Sequence, residues 1–244
     1  MNSRLNRTFI TLLPPLIGVC LMVLFRTIAP DALLYLELKS IDQRFLSRGS
    51  VPMHSNLVEV DLDSASAKRY VPIERQPWPW PRQMHGGLVN ILTEAGAKAI
   101  LFDIFFPNPR SKEDRPFIDA VKKSKKVYLA MGLPDRRKNE PLLKGSPAWN
   151  HSLLRFSGTG FLGAPEAGIN KGFYTFDTLA GAAKGMGHIN RTVDVDGVLR
   201  RLPLFVRSRE GYYPALGFRA ALDLLDVNLE TLEVEWGYAV QFRS

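Results

Sequence analysis

Three carboxylates lie near the ends of two predicted strands, where residue type and spacing suit metal chemistry. Asp61 and Asp63 end one predicted strand, and Asp103 lies near the end of the next. Open α/β sheets bind ligands beyond the carboxyl ends of their strands, so the three side chains could converge there and hold Mg²⁺ or Ca²⁺. A role for these carboxylates at strand ends and helix caps is the simpler interpretation and the one we favour. A periplasmic metal-dependent hydrolase is therefore the alternative function.

Other catalytic arrangements are missing from the sequence. It has no Gly-rich phosphate loop, no G-x-S-x-G motif and no paired Cys or His at metal-ligand spacing. Its single cysteine, Cys20, lies in an apolar N-terminal stretch, which argues against a cysteine nucleophile. Asp194 and Asp196 with Gly197 fit a tight turn better than a calcium loop, because the distal glutamate of such a loop is absent. We expect no catalysis, no bound metal and no cofactor.

A Pro- and Trp-rich string, Trp78-Pro-Trp-Pro-Arg82, is the most unusual feature of the chain. Proline fixes φ, so the string holds Trp78 and Trp80 in a stiff, extended segment. The two indoles could form a platform for a ligand or cover the edge of a core. The sequence does not separate these alternatives, and we favour the structural role.

Positive charge dominates the chain, which carries a formal net charge of +8. Seven basic residues are concentrated in one region: Lys122, Lys123, Lys125, Lys126, Arg136, Arg137 and Lys138. The first four follow a predicted helix, where cations complement the helix dipole. A solvated helix end is the simplest interpretation, and contact with anionic lipid headgroups is the next. Nucleic acid is not expected, because the predicted topology keeps this domain out of the cytoplasm.

An uncharged apolar stretch near the N-terminus predicts a membrane anchor over residues 9–29, about the length needed to cross the hydrocarbon core. Arg4 and Arg7 precede it, so the positive-inside rule assigns residues 1–8 to the cytoplasm and the rest of the chain to the periplasm. No small-x-small cleavage site follows closely, which favours an uncleaved anchor over a signal peptide. A buried core helix is the remaining alternative. The expected location is the bacterial inner membrane, with a single pass.

Residues 30–48 are predicted to form a stalk helix. Leu34, Leu38, Ile41 and Phe45 are spaced by four, three and four residues, which places them on one helix face. This stripe could pair with a second copy of the chain or pack against its own domain. We expect a homodimer in the membrane.

Residues 49–244 carry the pattern of an α/β domain. Alternating or apolar runs predict strands at 57–63, 98–106, 127–132 and 232–236, and amphipathic spacing predicts helices at 88–95, 114–121 and 218–225. Strand and helix alternate, which is typical of βαβ units and a mainly parallel sheet. The Asp-Gly step at Asp196-Gly197 predicts a hairpin towards the C-terminus, and residues 134–172 are predicted to form a surface excursion. The predicted fold is thus a βαβ-built, mainly parallel sheet with a C-terminal hairpin, preceded by one transmembrane helix.

Two ordered groups of motifs resemble the second type of CHASE domain, an extracytoplasmic sensor of bacterial adenylate cyclases, histidine kinases and related receptors. The first is Trp78-Pro-Trp-Pro-Arg82 with His85, followed by the run at 95–106. The second is Gly187-His-Ile-Asn190 followed by the run at 194–204. The similarity extends from about residue 41 to the end. It implies a receptor input module with an unknown ligand, and it implies no catalytic residues.

The motif residues are the candidates for a ligand-binding or signalling surface: Trp78, Trp80, Arg82, His85, Asp103, His188, Asn190, Asp194, Asp196 and Arg200. Domains of this type usually continue into a further α/β portion, membrane helices and a cytoplasmic output domain. We therefore expect residues 49–244 to be an incomplete sensor domain whose cyclase or kinase output lies outside this sequence. An envelope scaffold protein is the third functional alternative.

Overall fold

The computed structural model describes residues 2–66, 80–110, 112–132, 154, 158–160, 175–191, 193–207, 211–236 and 239–241. The chain divides into two compact units, residues 1–62 and residues 63–244. Most of the predicted surface excursion at 134–172 lies outside the described residues, as do Trp78 and Arg136 to Lys138.

Two consecutive helices make up most of the first unit. Helix α1 spans Asn2–Ile28 and helix α2 spans Pro30–Arg48. Gly49 ends α2 with a positive φ of 75°, and its N–H donates to the carbonyls of Phe45 and Leu46. Among the described residues no single helix is both long and apolar enough to cross a membrane, whereas the bent pair Leu13–Ile28 and Asp31–Arg48 meets that requirement together. The division into cytoplasmic terminus, anchor and stalk stays a prediction.

The strand predicted at 57–63 does not form. These residues adopt no regular secondary structure, and the side chains that should have faced a core are exposed, Val58 by 81% and Val60 by 49%. An alternating pattern stabilises a strand only when a neighbouring strand satisfies its backbone groups. No described strand pairs with this segment, so the prediction was wrong.

The second unit contains four α-helices of four or more residues, a 3₁₀ helix at Leu229–Thr231 and eight strands among its described residues. The helices are α3 (Arg82–Glu94), α4 (Asp114–Ser124), α5 (Asp177–Ala180) and α6 (Leu216–Leu224). The strands are β1 (Ile100–Phe102), β2 (Val127–Met131), β3 (Gly158–Gly160), β4 (Gly185–His188), β5 (Phe205–Arg207), β6 (Tyr212–Pro214), β7 (Glu233–Trp236) and β8 (Ala239–Gln241). The helices predicted around 88–95, 114–121 and 218–225 and the strands at 127–132 and 232–236 are confirmed.

A three-stranded parallel sheet in the order β1-β2-β4 lies at the centre of this unit, which confirms the βαβ prediction. Strand β2 is its middle strand, and all five of its residues are buried. Val127, Leu129 and Met131 face the main core with α3 and α4, whereas Tyr128 and Ala130 face α6. Because both faces are covered, the strand is apolar throughout instead of alternating. Strand β1 is shorter than the predicted run at 98–106.

Helices α3 and α4 pack closely at a glycine. A Cβ added to Gly86 of α3 would lie 3.0 Å from the carbonyl oxygen of Pro116 and 3.1 Å from the Cα of Phe117. Phe117, Ala120 and Val121 of α4 are buried, as the spacing of the apolar residues predicted. Gly96 follows α3 with a φ of +88°, the left-handed conformation that commonly ends a helix.

The turn predicted at Asp194–Gly197 forms, but the antiparallel strand pair predicted beside it forms later in the chain. The turn forms, since the Asp194 N–H donates to Val198 and the Gly197 N–H donates to Asp194. The described residues beside it form no strand pair, because β4 joins the parallel sheet instead. Antiparallel pairing occurs later, between β5 and β6 and between β7 and β8. Strand β3, which falls within the predicted excursion, pairs in parallel with β7.

Strand β4 and helix α6 approach so closely that a side chain does not fit between them. A Cβ added to Gly187 would lie 2.3 Å from the Cα of Leu216 and 2.6 Å from its backbone nitrogen. Backbone atoms cannot move aside as a flexible side chain can. The glycine at this position therefore sets the distance between the sheet and α6.

We predict that Gly187→Ala lowers the free energy of unfolding by about 1–3 kcal/mol, as overpacking of a tight core does. Gly217→Ala is the matched control, because a Cβ at Gly217 in α6 meets nothing within 4 Å. The control should be neutral or slightly stabilising, since alanine favours a helix more than glycine does. Urea titration of both variants measures the difference, and equal stability would contradict the close packing.

Candidate functional site

A buried ion pair joins the starts of α3 and α4. Arg82 is the first residue of α3 and is 2% exposed, and its Nε lies 3.3 Å from Oδ1 of Asp114, the first residue of α4. The guanidinium carbon of Arg82 also lies 4.4 Å from the ring centroid of Phe106, a cation–π distance. Its Nη2 donates a long hydrogen bond of 3.5 Å to the carbonyl of Asn108.

Asp114 is held on its other side by the main chain. Its Oδ2 accepts the backbone N–H of Arg110, which fixes the loop before α4. Burial lowers the pKa of Arg82, and the charge of Arg110 lowers it further, whereas Asp114 raises it. A buried cation of this kind needs its carboxylate, because neither charge is solvated by water once the two helices are packed.

His85 lies one turn after Arg82 and is enclosed by phenylalanine rings. Its ring centroid is 6.0 Å from that of Phe102, 5.3 Å from that of Phe106 and 5.7 Å from that of Phe117. Burial, with a smaller effect of the Arg82 charge, lowers the pKa of His85 to about 4. The imidazole is therefore neutral at pH 7, and its Nε2 has no hydrogen-bond partner among the described residues.

An open cleft of about 440 Å³ lies beside the ion pair. It is lined by Pro109, Asp114, Arg115, Ile118, Asp119, Lys122, Phe176 and Thr178. Its volume falls in the range of small-molecule sites, which combine apolar walls with a few polar groups. Because Asp114 contributes to both the cleft and the ion pair, whatever occupies the cleft lies next to the contact between α3 and α4.

Two other groups of predicted site residues lie at the end of β4 and after it. His188 ends β4 and is buried, and its Nδ1 accepts the backbone N–H of Asn190 at 3.2 Å. Burial lowers the pKa of His188 to about 4. Asp194, Asp196 and Arg200 form a second group, in which Arg200 Nη1 lies 3.0 Å from Asp194 and Nη2 lies 2.7 Å from Asp196. These ion pairs clamp the turn at Asp194–Gly197.

A family model described as the CHASE2 domain matches residues 16–243. The chain belongs to the CHASE2 family. This confirms the resemblance found in the sequence motifs, and it assigns the chain to a family of sensory domains. No curated protein and no solved structure matches the sequence.

Trp78, Trp80 and Asp103 are the remaining predicted site residues of this CHASE2 domain. Trp80 is buried at 7% exposure, which fits the covering role favoured for the Pro- and Trp-rich string, and its neighbour Trp78 lies outside the described residues. Asp103 is exposed and follows β1.

The three carboxylates of the alternative enzyme are divided between the two compact units, with Asp61 in the first and Asp63 and Asp103 in the second. No group of three or more His, Cys, Asp or Glu side chains within the described ranges could hold a metal ion. Asp63 instead accepts the backbone N–H of Ser66 at 2.7 Å, and this hydrogen bond lowers the pKa of Asp63. The capping role favoured for this residue is confirmed, and metal binding by Asp61, Asp63 and Asp103 stays an alternative from the sequence.

The sequence analysis missed a group of three polar side chains on the opposite face of the sheet. Tyr128 of β2 donates to Oδ2 of Asp223 at 2.8 Å, and Arg219 pairs with Oδ1 of the same carboxylate. Burial and the Asp223 carboxylate raise the pKa of Tyr128. The i, i+4 spacing of Arg219 and Asp223 was the available signal. Asp114 gave no comparable signal, since a helix-start carboxylate is usually exposed.

We predict that Arg82→Met lowers the free energy of unfolding by about 3–5 kcal/mol, because it leaves the Asp114 carboxylate buried without its partner. Adding Asp114→Asn should recover a large part of that loss. The amide removes the unpaired charge and keeps an oxygen that can accept the N–H of Arg110. Urea titration of the single and double variants measures this coupling.

Arg115→Ala provides the control for this cycle. Arg115 and Asp119 pair at 3.9 Å on the same helix, but their side chains are 86% and 66% exposed, so breaking this pair should change stability little. Equal losses from Arg82→Met and Arg115→Ala, or a double variant as unstable as the sum of its parts, would contradict a structural role for the buried pair.

Proposed function

We propose that the chain is the extracytoplasmic input module of a membrane-anchored bacterial signalling protein, and that it binds a signal without catalysing a reaction. Its membership in a family of sensory domains carries this proposal. A cyclase or kinase output domain, in a continuation of the chain or in another protein, would convert the signal.

The apolar surface of α1 supports a membrane anchor. Side chains along the described part of this helix are exposed, for example Leu16 by 62%, Met22 by 69% and Ile28 by 73%. A continuous exposed apolar surface needs a cover, which lipid would provide. Arg4 and Arg7 precede the stretch and favour a cytoplasmic N-terminus.

The cleft beside the ion pair is the proposed ligand site. Its walls carry both charge signs, through Asp119 and Lys122, and an aromatic surface, through Phe176. This composition suits a small molecule that has charged and apolar parts. A ligand that touches Asp114 would act directly on its pairing with Arg82, and so on the contact between α3 and α4. That is a physical route from binding to a change in helix packing.

Signal transmission is proposed to occur in a homodimer formed through α1 and α2. In the stripe on α2, Leu34 is 38% exposed and Phe45 is 48% exposed, whereas Leu38 is buried. Leu34 and Phe45 are therefore the most exposed residues of the stripe, and Ile41 is half-buried. Pairing in the bilayer raises the effective concentration of the stripes, so a weak contact is sufficient.

Topology is tested with single cysteines in a Cys20→Ser background. We predict that Leu36→Cys, at a position that is 63% exposed, reacts with a membrane-impermeant maleimide in intact spheroplasts. Ser3→Cys, before the anchor, should react only after the membrane is permeabilised. The reverse pattern would place the domain in the cytoplasm and overturn the extracytoplasmic proposal.

Dimerisation is tested by oxidative crosslinking in native membranes. We predict a strong dimer band from Leu34→Cys in the Cys20→Ser background, because this position lies on the proposed seam. Leu36→Cys serves as the control on another face of the same helix and should crosslink several-fold less. Equal, weak bands from the two positions would mean that α2 does not mediate pairing.

Ligand binding is tested with the full chain in detergent and the low-molecular-weight fraction of a periplasmic extract. We predict that this fraction raises the melting temperature, because a ligand at about 100 times its Kd stabilises a protein by about 2.7 kcal/mol. Thr178→Trp should fill the cleft and abolish the shift. Asn90→Trp, on the exposed side of α3, is the control and should preserve it. A shift retained by Thr178→Trp would exclude this cleft as the site.

A further inference from the structure

A row of lysines lies along the edge where the strands of the parallel sheet begin. Lys98 precedes β1 by two residues, Lys125 and Lys126 directly precede β2, and Lys184 directly precedes β4. Parallel strands begin at the same edge of a sheet, so three separate chain segments bring their lysines to one place. We call the set Lys98, Lys122, Lys123, Lys125, Lys126 and Lys184 the lysine edge.

Backbone hydrogen bonds fix the segments of the lysine edge to one another. The N–H of Ile100 donates to the carbonyl of Lys126 at 2.9 Å, and the N–H of Lys184 donates to the carbonyl of Val127 at 2.8 Å. Helix α4 ends at Ser124 and adds Lys122 and Lys123 just before β2. The sequence had grouped four of these lysines with Arg136 to Lys138, and the fold adds Lys98 and Lys184.

Little negative charge offsets this edge. Five of the six lysines are exposed and Lys126 is half-buried, and none of the six forms an ion pair with a described residue. Lys184 lies 5.9 Å from the ring of Tyr128, whose hydroxyl is bonded to Asp223. That carboxylate is already paired with Arg219. Two further carboxylates lie towards this edge: Glu94 ends α3, and Asp119 lies about one turn before Lys122 and Lys123 on α4, where it pairs with Arg115.

The helix dipole accounts for part of this arrangement and leaves the rest unexplained. The last carbonyls of α4 favour cations at Lys122 and Lys123. Lys98 and Lys184 each lie four residues beyond the end of a helix, α3 and α5 respectively, and so outside the last turn in which the dipole acts. Six like charges on one edge repel one another, and this cost is removed when an anionic surface approaches.

We propose that the lysine edge docks on the surface of an anionic phospholipid bilayer. Exposed lysines on flexible stems fit a broad, planar array of phosphate groups, whereas a defined small anion needs buried donors in fixed geometry. Each lysine near an anionic bilayer contributes about fivefold to surface partitioning. The docking rests on the proposed anchor, which keeps the domain close enough to the bilayer for this attraction to act.

The test uses the full chain in nanodiscs made either of phosphatidylcholine alone or of phosphatidylcholine with phosphatidylglycerol. The lysines are acetylated with a water-soluble, amine-reactive reagent, and mass spectrometry measures the extent of reaction at each one. We expect the anionic lipid to slow the reaction of the lysine edge about threefold or more, and 0.5 M NaCl to reverse the protection, because that salt shortens the Debye length to about 4 Å. Lys112, before the other end of α4, should react equally in both lipids.

Two charge-matched variants make the test specific. Lys98→Glu with Lys125→Glu should abolish the lipid-dependent protection of Lys123 and Lys126. The control, Lys112→Glu with Arg191→Glu, makes the same change in net charge away from the lysine edge, before the start of α4 and after the end of β4. This control should preserve the lipid-dependent protection. Equal reaction rates in the two lipids, or protection that survives in phosphatidylcholine or high salt, would overturn the proposal.

The same experiment separates this proposal from the anchor on which it rests. A chain that fails to co-purify with nanodiscs would show that the anchor is wrong. A chain that co-purifies but whose lysine edge reacts equally in both lipids would show that docking alone is wrong. Since both faces of a nanodisc are accessible, neither outcome depends on which side of the membrane holds the domain in the cell.

Discussion

Burial of β2 on both faces is the constraint on which the second unit depends. A parallel middle strand whose five residues are all buried must be covered by helices on each side. The chain supplies α3 and α4 on one face, through Phe117 and Val121, and α6 on the other, through Leu216 and Ala220. Gly187 allows α6 to approach the sheet at backbone distance. The packing of α3 and α4 on one face and of α6 on the other then sets where the Arg82–Asp114 pair and the Tyr128–Asp223 hydrogen bond form.

Covering the sheet also buries charged side chains, and these are paired in different ways on the two faces. On the face of α3 and α4, Arg82 and Asp114 come from different helices, so their ion pair joins two elements. On the other face, Arg219 and Asp223 come from one helix and are joined to β2 by Tyr128. The Arg82–Asp114 ion pair depends on the packing of α3 against α4, whereas the Arg219–Asp223 ion pair lies within α6 and only its hydrogen bond to Tyr128 depends on packing. This difference is why we propose the cleft at Asp114, and not the polar group at α6, as the ligand site.

The direction of the strands gives the two edges of the sheet different chemistry. Where the strands begin, the chain places lysines that the fold leaves unpaired within its described part. Beyond the other edge, Arg200 is bonded to Asp194 and Asp196, and His188 is buried and neutral. An input module tethered to a membrane benefits from such a division. In the proposed arrangement the lysine edge would hold the domain near the bilayer, and Lys122 belongs both to this edge and to the wall of the cleft.

Sequence periodicity by itself determined α3, α4, α6 and β2, because strong amphipathic or apolar runs specify their own element and buried face. The motifs at 78–106 and 187–204 also determined the family. Pairing was decided by the tertiary structure: the alternating run at 57–63 found no partner strand, and β4 joined the parallel sheet instead of a hairpin. The Arg82–Asp114 pair and the lysine edge were decided in the same way. Each joins segments that are distant along the chain, and local periodicity does not specify which distant residues come into contact.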